Sequence, residues 1–277
     1  MTTLSIGLVC YASDEPALKQ TLVSLRDACL RAHADGRLSS ASLVLFDNGP
    51  VPSEHNKIES LISDCIVPSG AVLTASILGD GTNLGFGAAH NLAFKQASAD
   101  LHLILNPDVD LAGDALSEAL RFMQDHLGCG VLAPAVANSS GSREYLCKRY
   151  PTVFDLFLRG FAPAWLKQKF EKHLAAYEMR DMQQEEIYWN PPIISGCFML
   201  FRTSVLKELG GFDSSYFLYF EDFDLSLRTA AVSRIAYVPT VKIMHAGGHA
   251  SRKGWRHIFL FFRSALIFFN RHGWKWY

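Results

Sequence analysis

Long apolar stretches are missing from this sequence of 277 residues: no run of 18 occurs, so no transmembrane helix is expected. Paired cysteines are missing too. Cys10, Cys29, Cys65, Cys129, Cys147 and Cys197 are scattered, with no CxxC pair. They read as reduced core residues of a cytoplasmic protein, not as a disulfide framework or a zinc site. The first ten residues carry no basic lead, and Asp14 and Glu15 follow closely, so they are expected to form a first strand and not a signal peptide. The formal net charge of -1 gives no support to nucleic-acid binding. Internal repeats and low-complexity linkers are also lacking, which favours one compact domain. One absence is local. From Leu225 onward there is no Asp or Glu, against Lys or Arg at nine positions. A basic, aromatic-rich stretch of this kind suits diphosphates or an anionic membrane surface; a solvated basic helix is the plainer alternative.

What is present alternates strands with helices. Residues 4–10 form a continuous apolar run, as expected of a strand buried on both faces. Helical spacing follows over 16–34, with Leu18, Leu22, Leu25 and Cys29 on one side, Asp14 as N-cap and Pro16 in the first turn. Further strands are expected at 43–46, 72–78, 101–105 and 130–133, with helices at 88–99 and 113–127. The segment from about 134 to 192 reads as an irregular, partly helical insertion. A buried strand at 193–201 follows, then a helix at 219–230, strands at 235–238 and 241–244, and an apolar closing helix at 255–270. This order gives an α/β fold with a doubly wound, mostly parallel sheet flanked by helices. Ligands gather at the carboxyl ends of such strands, where Asp47, Asp108 and Asp110 are expected to lie.

Four constellations carry chemistry. Asn106-Pro107-Asp108-Val109-Asp110 follows an apolar strand. Two carboxylates two residues apart suit a hard cation such as Mg²⁺ or Mn²⁺ shared with phosphates, although Asn, Pro and Asp also make ordinary turns. The glycine-rich run Gly79-Asp80-Gly81-Thr82-Asn83-Leu84-Gly85-Phe86-Gly87 leads into a helix bearing His90 and Asn91. It fits neither the dinucleotide nor the P-loop register. Either it cradles an anion or it is a plain strand–turn–helix. Glu221-Asp222-Phe223-Asp224 follows the aromatic run Tyr216-Phe217-Leu218-Tyr219-Phe220. Acids favour a helix start, yet aromatic neighbours would also desolvate a carboxylate and make it a better base. His245-Ala246-Gly247-Gly248-His249 offers His245 to a metal or a diphosphate, with His249 a weaker candidate.

Taken in order, six motifs resemble the inverting nucleotide-sugar glycosyltransferases of family 2, in particular their bacterial rhamnosyltransferase-like branch. They are Asp47-Asn48, Asn83 to Asn91, Leu105 to Asp108, Gly196-Cys197-Phe198-Met199, Gly210-Gly211-Phe212-Asp213, and Tyr219 to Arg228. The resemblance implies a GT-A fold over residues 1–250, with a nucleotide-sugar half (1–133), an acceptor half (134–250) and a basic, aromatic helical segment at 251–277. It implies that Asp47 meets the donor base near Tyr11, and that Asp108 stands in the family's DxD metal motif with Asp110 and His245 as further ligands. Asp222 would be the catalytic base. Glu221 and Arg228 would be substrate-binding, with Arg228 turned to the acidic cluster or to the phosphates. Asn83, Gly85, Phe86, Asn91 and Gly196 would line the substrate site. Ala12 stands where family members often carry Asn after the first-strand Tyr. The implied partners are a dTDP- or UDP-linked sugar donor and a glycan acceptor carried on a lipid diphosphate. The implied place is the cytoplasm, with peripheral contact at the inner face of the membrane. A sugar-1-phosphate nucleotidyltransferase would need a basic glycine-rich signature after the first strand, where this chain is acidic. A non-catalytic nucleotide- or glycan-binding module is the rival from another class, and the retention of Asp108, Asp222 and Arg228 together argues against it.

Overall fold

The computed structural model describes residues 1–49, 52–182, 185–246 and 254–277. Gly247, Gly248, the candidate His249 and the basic pair Arg252-Lys253 lie outside the described residues. The chain begins β1 (Thr2–Cys10), α1 (Glu15–Ala34), β2 (Leu38–Asp47), α2 (Pro52–Cys65), β3 (Leu73–Leu78), α3 (Phe86–Lys95) and β4 (Leu101–Leu105). These β1 to β4 strands pair side by side and parallel in the order β3-β2-β1-β4. Right-handed crossovers through helices force that arrangement, and all four strands point their carboxyl ends at one rim. Asp14 caps α1 as expected: its carboxylate accepts the Ala17 N–H at 3.1 Å. The helix α2 was not anticipated, because its surface is polar. Its signal is the spacing of Ile58, Leu61 and Cys65, all buried.

Beyond β4 the sheet departs from the parallel pattern. It continues through β5 (Val109–Leu111), α4 (Ala115–Asp125), β6 (Cys129–Ala137) and β7 (Arg143–Glu144). Three short helices follow in the insertion, α5 (Val153–Gly160), α6 (Ala164–Lys169) and α7 (Glu171–Tyr177), then β8 (Tyr188–Trp189), β9 (Phe198–Arg202) and α8 (Thr203–Leu209). Among the described residues the sheet is ten-stranded, ordered β3-β2-β1-β4-β9-β6, then β10 (Arg234–His245) and β5. β9 runs antiparallel between β4 and β6. The strand expected at 193–201 therefore begins only at Phe198, because the preceding residues turn to other partners. Ile193 bridges Lys148, and the Gly196 N–H bonds a side chain. The two strands expected at 235–238 and 241–244 are one. β10 carries a register shift between Val238 and Lys242, at Pro239, which cannot donate to the ladder. β6 crosses residue 134, so the sheet is continuous across the boundary between the two expected halves.

All six cysteines are buried. Burial alone pushes the Cys29 thiol up to about 12, and it dominates the rise of Cys147 and Cys197 to about 12 and of Cys129 to about 11.

The chain closes with α9 (Glu221–Val232) and α10 (Trp255–His272). The inner face of α10 is core. Ala265, Phe268 and Phe269 cluster with Tyr216 and Phe220, and Ser264 Oγ donates to the Leu218 carbonyl at 2.8 Å. A buried charge joins the two helices. Asp224 has no exposed side-chain surface; Arg228 Nε donates to it at 2.7 Å and His272 Nε2 lies 2.8 Å away. Removing one partner of such a group leaves the others desolvated and unpaired. We expect Asp224→Ala to lose about 3 kcal/mol in urea denaturation. A loss within about 0.5 kcal/mol, the ordinary range for surface changes, would show that the pair does not tie α10 down.

Candidate active site

The reversed direction of β9 has a local consequence. Its first residue, Phe198, pairs with Leu105, the last residue of β4, and the Asn106 N–H donates to the Cys197 carbonyl at 2.9 Å. The Gly196-Cys197 turn and the Asn106-Pro107-Asp108 turn thus meet at the rim formed by the ends of β1, β2 and β4. β10 brings His245 to the same place. It pairs with Val109, and the Ala246 N–H donates to the Asp108 carbonyl at 2.9 Å.

On the α9 side, Tyr219 and Phe220 both take positive φ, 70° and 68°. Consecutive left-handed non-glycine residues are costly and persist only where neighbours over-determine them. Here they turn the chain sharply so that Glu221 and Asp222 start α9 facing the rim. Asp222 Oδ2 accepts the Gly196 N–H at 3.0 Å, and Oδ1 accepts the Phe223 N–H at 3.0 Å. Ser226 adds a second tie: its hydroxyl accepts the Ile194 N–H at 3.1 Å and donates to the Asp222 carbonyl at 2.7 Å. A side chain at 196 would have its Cβ 3.3 Å from Asp222 Cβ and 3.5 Å from the Phe86 ring, so only glycine leaves this floor open.

The two carboxylates differ in environment. Glu221 is buried, and its Oε2 has no hydrogen-bond partner. Burial first, and the charge of Asp222 second, push it up to about 8. Asp222 keeps partial exposure. Burial raises it, and the N–H groups of Gly196 and Phe223 pull the other way. Of the two, Glu221 is the more deeply buried and also feels its neighbour's charge, so the pair holds a proton preferentially there.

The metal-motif side holds Asp108, His245 and a residue that the sequence did not suggest, Glu144. His245 Nε2 lies 3.3 Å from Asp108 Oδ1, and its Nδ1 lies 3.6 Å from Glu144 Oε2. These are ion contacts; neither aligns as a hydrogen bond, and Asp108 Oδ1 and Asn106 Oδ1 stay buried without one. Burial lowers the His245 pKa, but the two carboxylates outweigh it and hold the pKa above the usual imidazole value. An orphaned carboxylate oxygen facing an imidazole fits Mg²⁺ or Mn²⁺, which take oxygen with some nitrogen. Among the described residues no three His, Cys, Asp or Glu side chains form a ready-made cage. Asp110 lines a cavity of about 150 Å³ with Asp108. It also borders an open cleft of about 940 Å³, lined by Glu118, Arg143 and Lys242 among others, which none of Asp47, Asp108 or Asp222 reaches.

The expected donor-side residues divide into two kinds. Asp47 ends β2, buried, with Oδ1 accepting the Gly49 N–H at 3.1 Å and Oδ2 3.5 Å from His55 Nδ1. Tyr11 is exposed beside it at the end of β1, and Ala12 follows at φ 45°, a conformation that Asn tolerates better than Ala. The glycine-rich loop is built by side chains. Asn48 accepts the Leu84 N–H at 2.7 Å and donates to Asn83 Oδ1, which also accepts the Gly85 N–H at 2.9 Å. Gly85 has φ 83°, and a Cβ there would sit 2.3 Å from the Phe217 carbonyl. Phe86 packs on His90 with ring centroids 4.5 Å apart. His90 and the neighbouring His102 are buried and pulled down to about 3, by burial first.

Two of the expected residues also have structural work. Asn91 is a clamp: its amide donates to the Phe212 carbonyl and accepts the Phe212 N–H, both at 2.8 Å. Arg228 turns to the acidic cluster, with Nε on Asp224. Two further donors go to the Leu209 and Gly211 carbonyls at 2.9 and 2.8 Å.

A mixed, mostly parallel sheet of this order flanked by helices is the GT-A arrangement. The chain belongs to the family described as "Glycosyl transferase family 2", which it matches over residues 5–210. It is 27% identical to the N-acetylglucosaminyl-diphospho-decaprenol L-rhamnosyltransferase of Mycobacterium tuberculosis, over 99% of this chain and 86% of that protein. It is 28% identical to the rhamnosyltransferase WbbL of Escherichia coli K12, over 61% of this chain and 63% of that one. Among solved structures, residues 1–349 of S. aureus TarS superpose with a TM-score of 0.55 at 17% identity, over 97% of this chain and 66% of that fragment. The mannosyltransferase PcManGT of Pyrobaculum calidifontis, in complex with GDP-Man and Mn²⁺, gives 0.57 at 14% identity, over 98% and 75%. At these identities the structural likeness is one of fold.

The buried Glu221 sets a pH test. Its folded pKa lies above the unfolded value of 4.5. The folded state therefore binds the extra proton between the two values, and stability drains as pH rises through that window. Glu221→Gln lacks this loss. Its melting temperature, compared with wild type, should move in the variant's favour from about pH 5 to about pH 8. Parallel melting profiles would refute the assignment.

Proposed function

We propose that this chain is a metal-dependent, inverting glycosyltransferase. It moves rhamnose or a similar hexose from a dTDP- or UDP-sugar to a hydroxyl of a glycan carried on a lipid diphosphate, in the assembly of a cell-surface polysaccharide. The reading rests on family membership and on the sugar and acceptor in the mycobacterial relative's name. The observation that carries it is Asp222, held at the rim by the Gly196 N–H on the same floor that supports Asn106 and Asp108.

The donor base lies against Asp47 and Tyr11, and the diphosphate lies near Asp108 and His245. Mg²⁺ or Mn²⁺, held by Asp108 and His245 with Asp110 nearby, would neutralise the charge developing on the diphosphate. Asp222 takes the proton of the acceptor hydroxyl. The acceptor oxygen bonds to the anomeric carbon as the bond from that carbon to the diphosphate oxygen breaks, with inversion. Glu221, the more deeply buried of the pair, holds a proton in preference to Asp222, and Gly196 leaves room for the sugar above the floor. The protein then works in the cytoplasm, at the inner face of the membrane.

Two measurements test this. Calorimetric titration with dTDP and with UDP, with and without Mn²⁺, should show metal-dependent binding that Asp108→Ala weakens by about tenfold or more. The tighter nucleotide gives the donor class, and no binding of either would refute the donor site. Asp222→Asn should bind the same nucleotide as wild type yet lose about 10³-fold or more in turnover. Retained turnover would remove Asp222 from the role of base.

A further inference from the structure

While the inner face of α10 is core, its outer face is not covered. Trp255, Phe259, Phe262 and Leu266 are 86, 67, 50 and 52% exposed. Their spacing places all four within an arc of about 60° at 100° per residue, so they form one stripe. The stripe continues onto the insertion. Phe161, itself exposed, stacks on Phe262 with ring centroids 5.4 Å apart, and Phe157 on α5 and Trp165 on α6 are exposed as well. Arg256 and Arg263 are exposed and flank the stripe along α10, which contains no acidic residue. Lys167 and Lys169 lie on α6 beside Trp165.

An aromatic stripe with a cationic flank and no acidic counterpart is the surface expected of a helix lying in the headgroup region of an anionic bilayer. A single copy of a soluble protein rarely leaves such a run open. A protein partner of matching shape would need its own acidic rim, whereas an anionic bilayer supplies both the apolar phase and the charge. The opposite face of the same helix holds the segment that launches α9: Ser264 bonds Leu218, and Tyr219 Oη lies 3.1 Å from His257 Nδ1. The helix is about 10 Å across. The exposed stripe and the chain leading to Asp222 are therefore separated by one helix diameter.

We propose that the outer face of α10, extended by Phe161, docks the protein on an anionic lipid surface and so presents the Asp222 side of the rim to an acceptor whose lipid end remains in the bilayer. The lipid nature of the acceptor rests on the proposed function; the docking surface does not.

The test is co-sedimentation of the full chain with vesicles of phosphatidylcholine alone and of phosphatidylcholine mixed with phosphatidylglycerol. Nucleotide binding is measured on every sample. Wild type should sediment with the anionic vesicles and be released by added salt. Phe259→Ser with Phe262→Ser should cut the bound fraction about tenfold, while nucleotide affinity stays at the wild-type value. Arg256→Glu with Arg263→Glu should have the same effect without altering an apolar contact. Wild type that ignores anionic vesicles, or variants that sediment as wild type does, would overturn the proposal. So would a wild-type dimer that dissociates in the serine variant, since a second copy would then be the occupant. Nucleotide binding without vesicle binding refutes the docking surface alone. Vesicle binding without nucleotide binding refutes the proposed function alone.

Discussion

The fully buried carboxylate of Asp224 is the constraint on which the acceptor side of the molecule depends. It sits one helical turn inside α9, with Arg228 and His272 against it and Arg271 3.6 Å away. Arg228 in turn holds the Leu209 and Gly211 carbonyls, so one charge joins α9, α10 and the turn after α8. The turn after α8 is the one that Asn91 clamps to α3. The left-handed pair Tyr219-Phe220 lies between these ties and cannot relax without breaking one of them. Strain at the start of α9 is thus sustained by an ion pair at its middle.

The rim itself follows from strand direction. Four parallel strands deliver Asp47 and the Asn106–Asp108 turn to one edge, and antiparallel β9 begins where β4 ends. A parallel β9 would have carried Gly196 to the opposite edge of the sheet and separated Asp222 from Asp108. Because Gly196 both donates to Asp222 and lies next to the residue bonded to Asn106, the base and the metal motif share a single backbone support.

The sequence made the first half of the fold legible, since buried strands there are unbroken apolar runs and α1 carries its own cap. It was less informative where tertiary partners override local pattern. Residues 193–197 are as apolar as a strand, yet Gly196 spends its N–H on Asp222. The polar surface of α2 masks the three buried positions that anchor it. At the site, the motif order pointed to Asp47, Asp108, Asp222 and Gly196, which the fold brings to one rim. Glu144 was invisible because it comes from a two-residue strand, β7, paired to the end of β6. Asn91 and Arg228 also hold backbone groups of residues about 120 and 20 positions away, and only folding reveals such partners.

Burial of every thiol has a practical consequence. Desolvation keeps Cys29, Cys129, Cys147 and Cys197 in the neutral form, and the thiolate is the species that reacts with electrophiles. The folded protein therefore offers almost no background to maleimide or iodoacetamide chemistry. A single cysteine introduced on the exposed arc of α10 or at the mouth of the rim would carry a spin label or fluorophore in an otherwise silent molecule, without prior removal of any native residue.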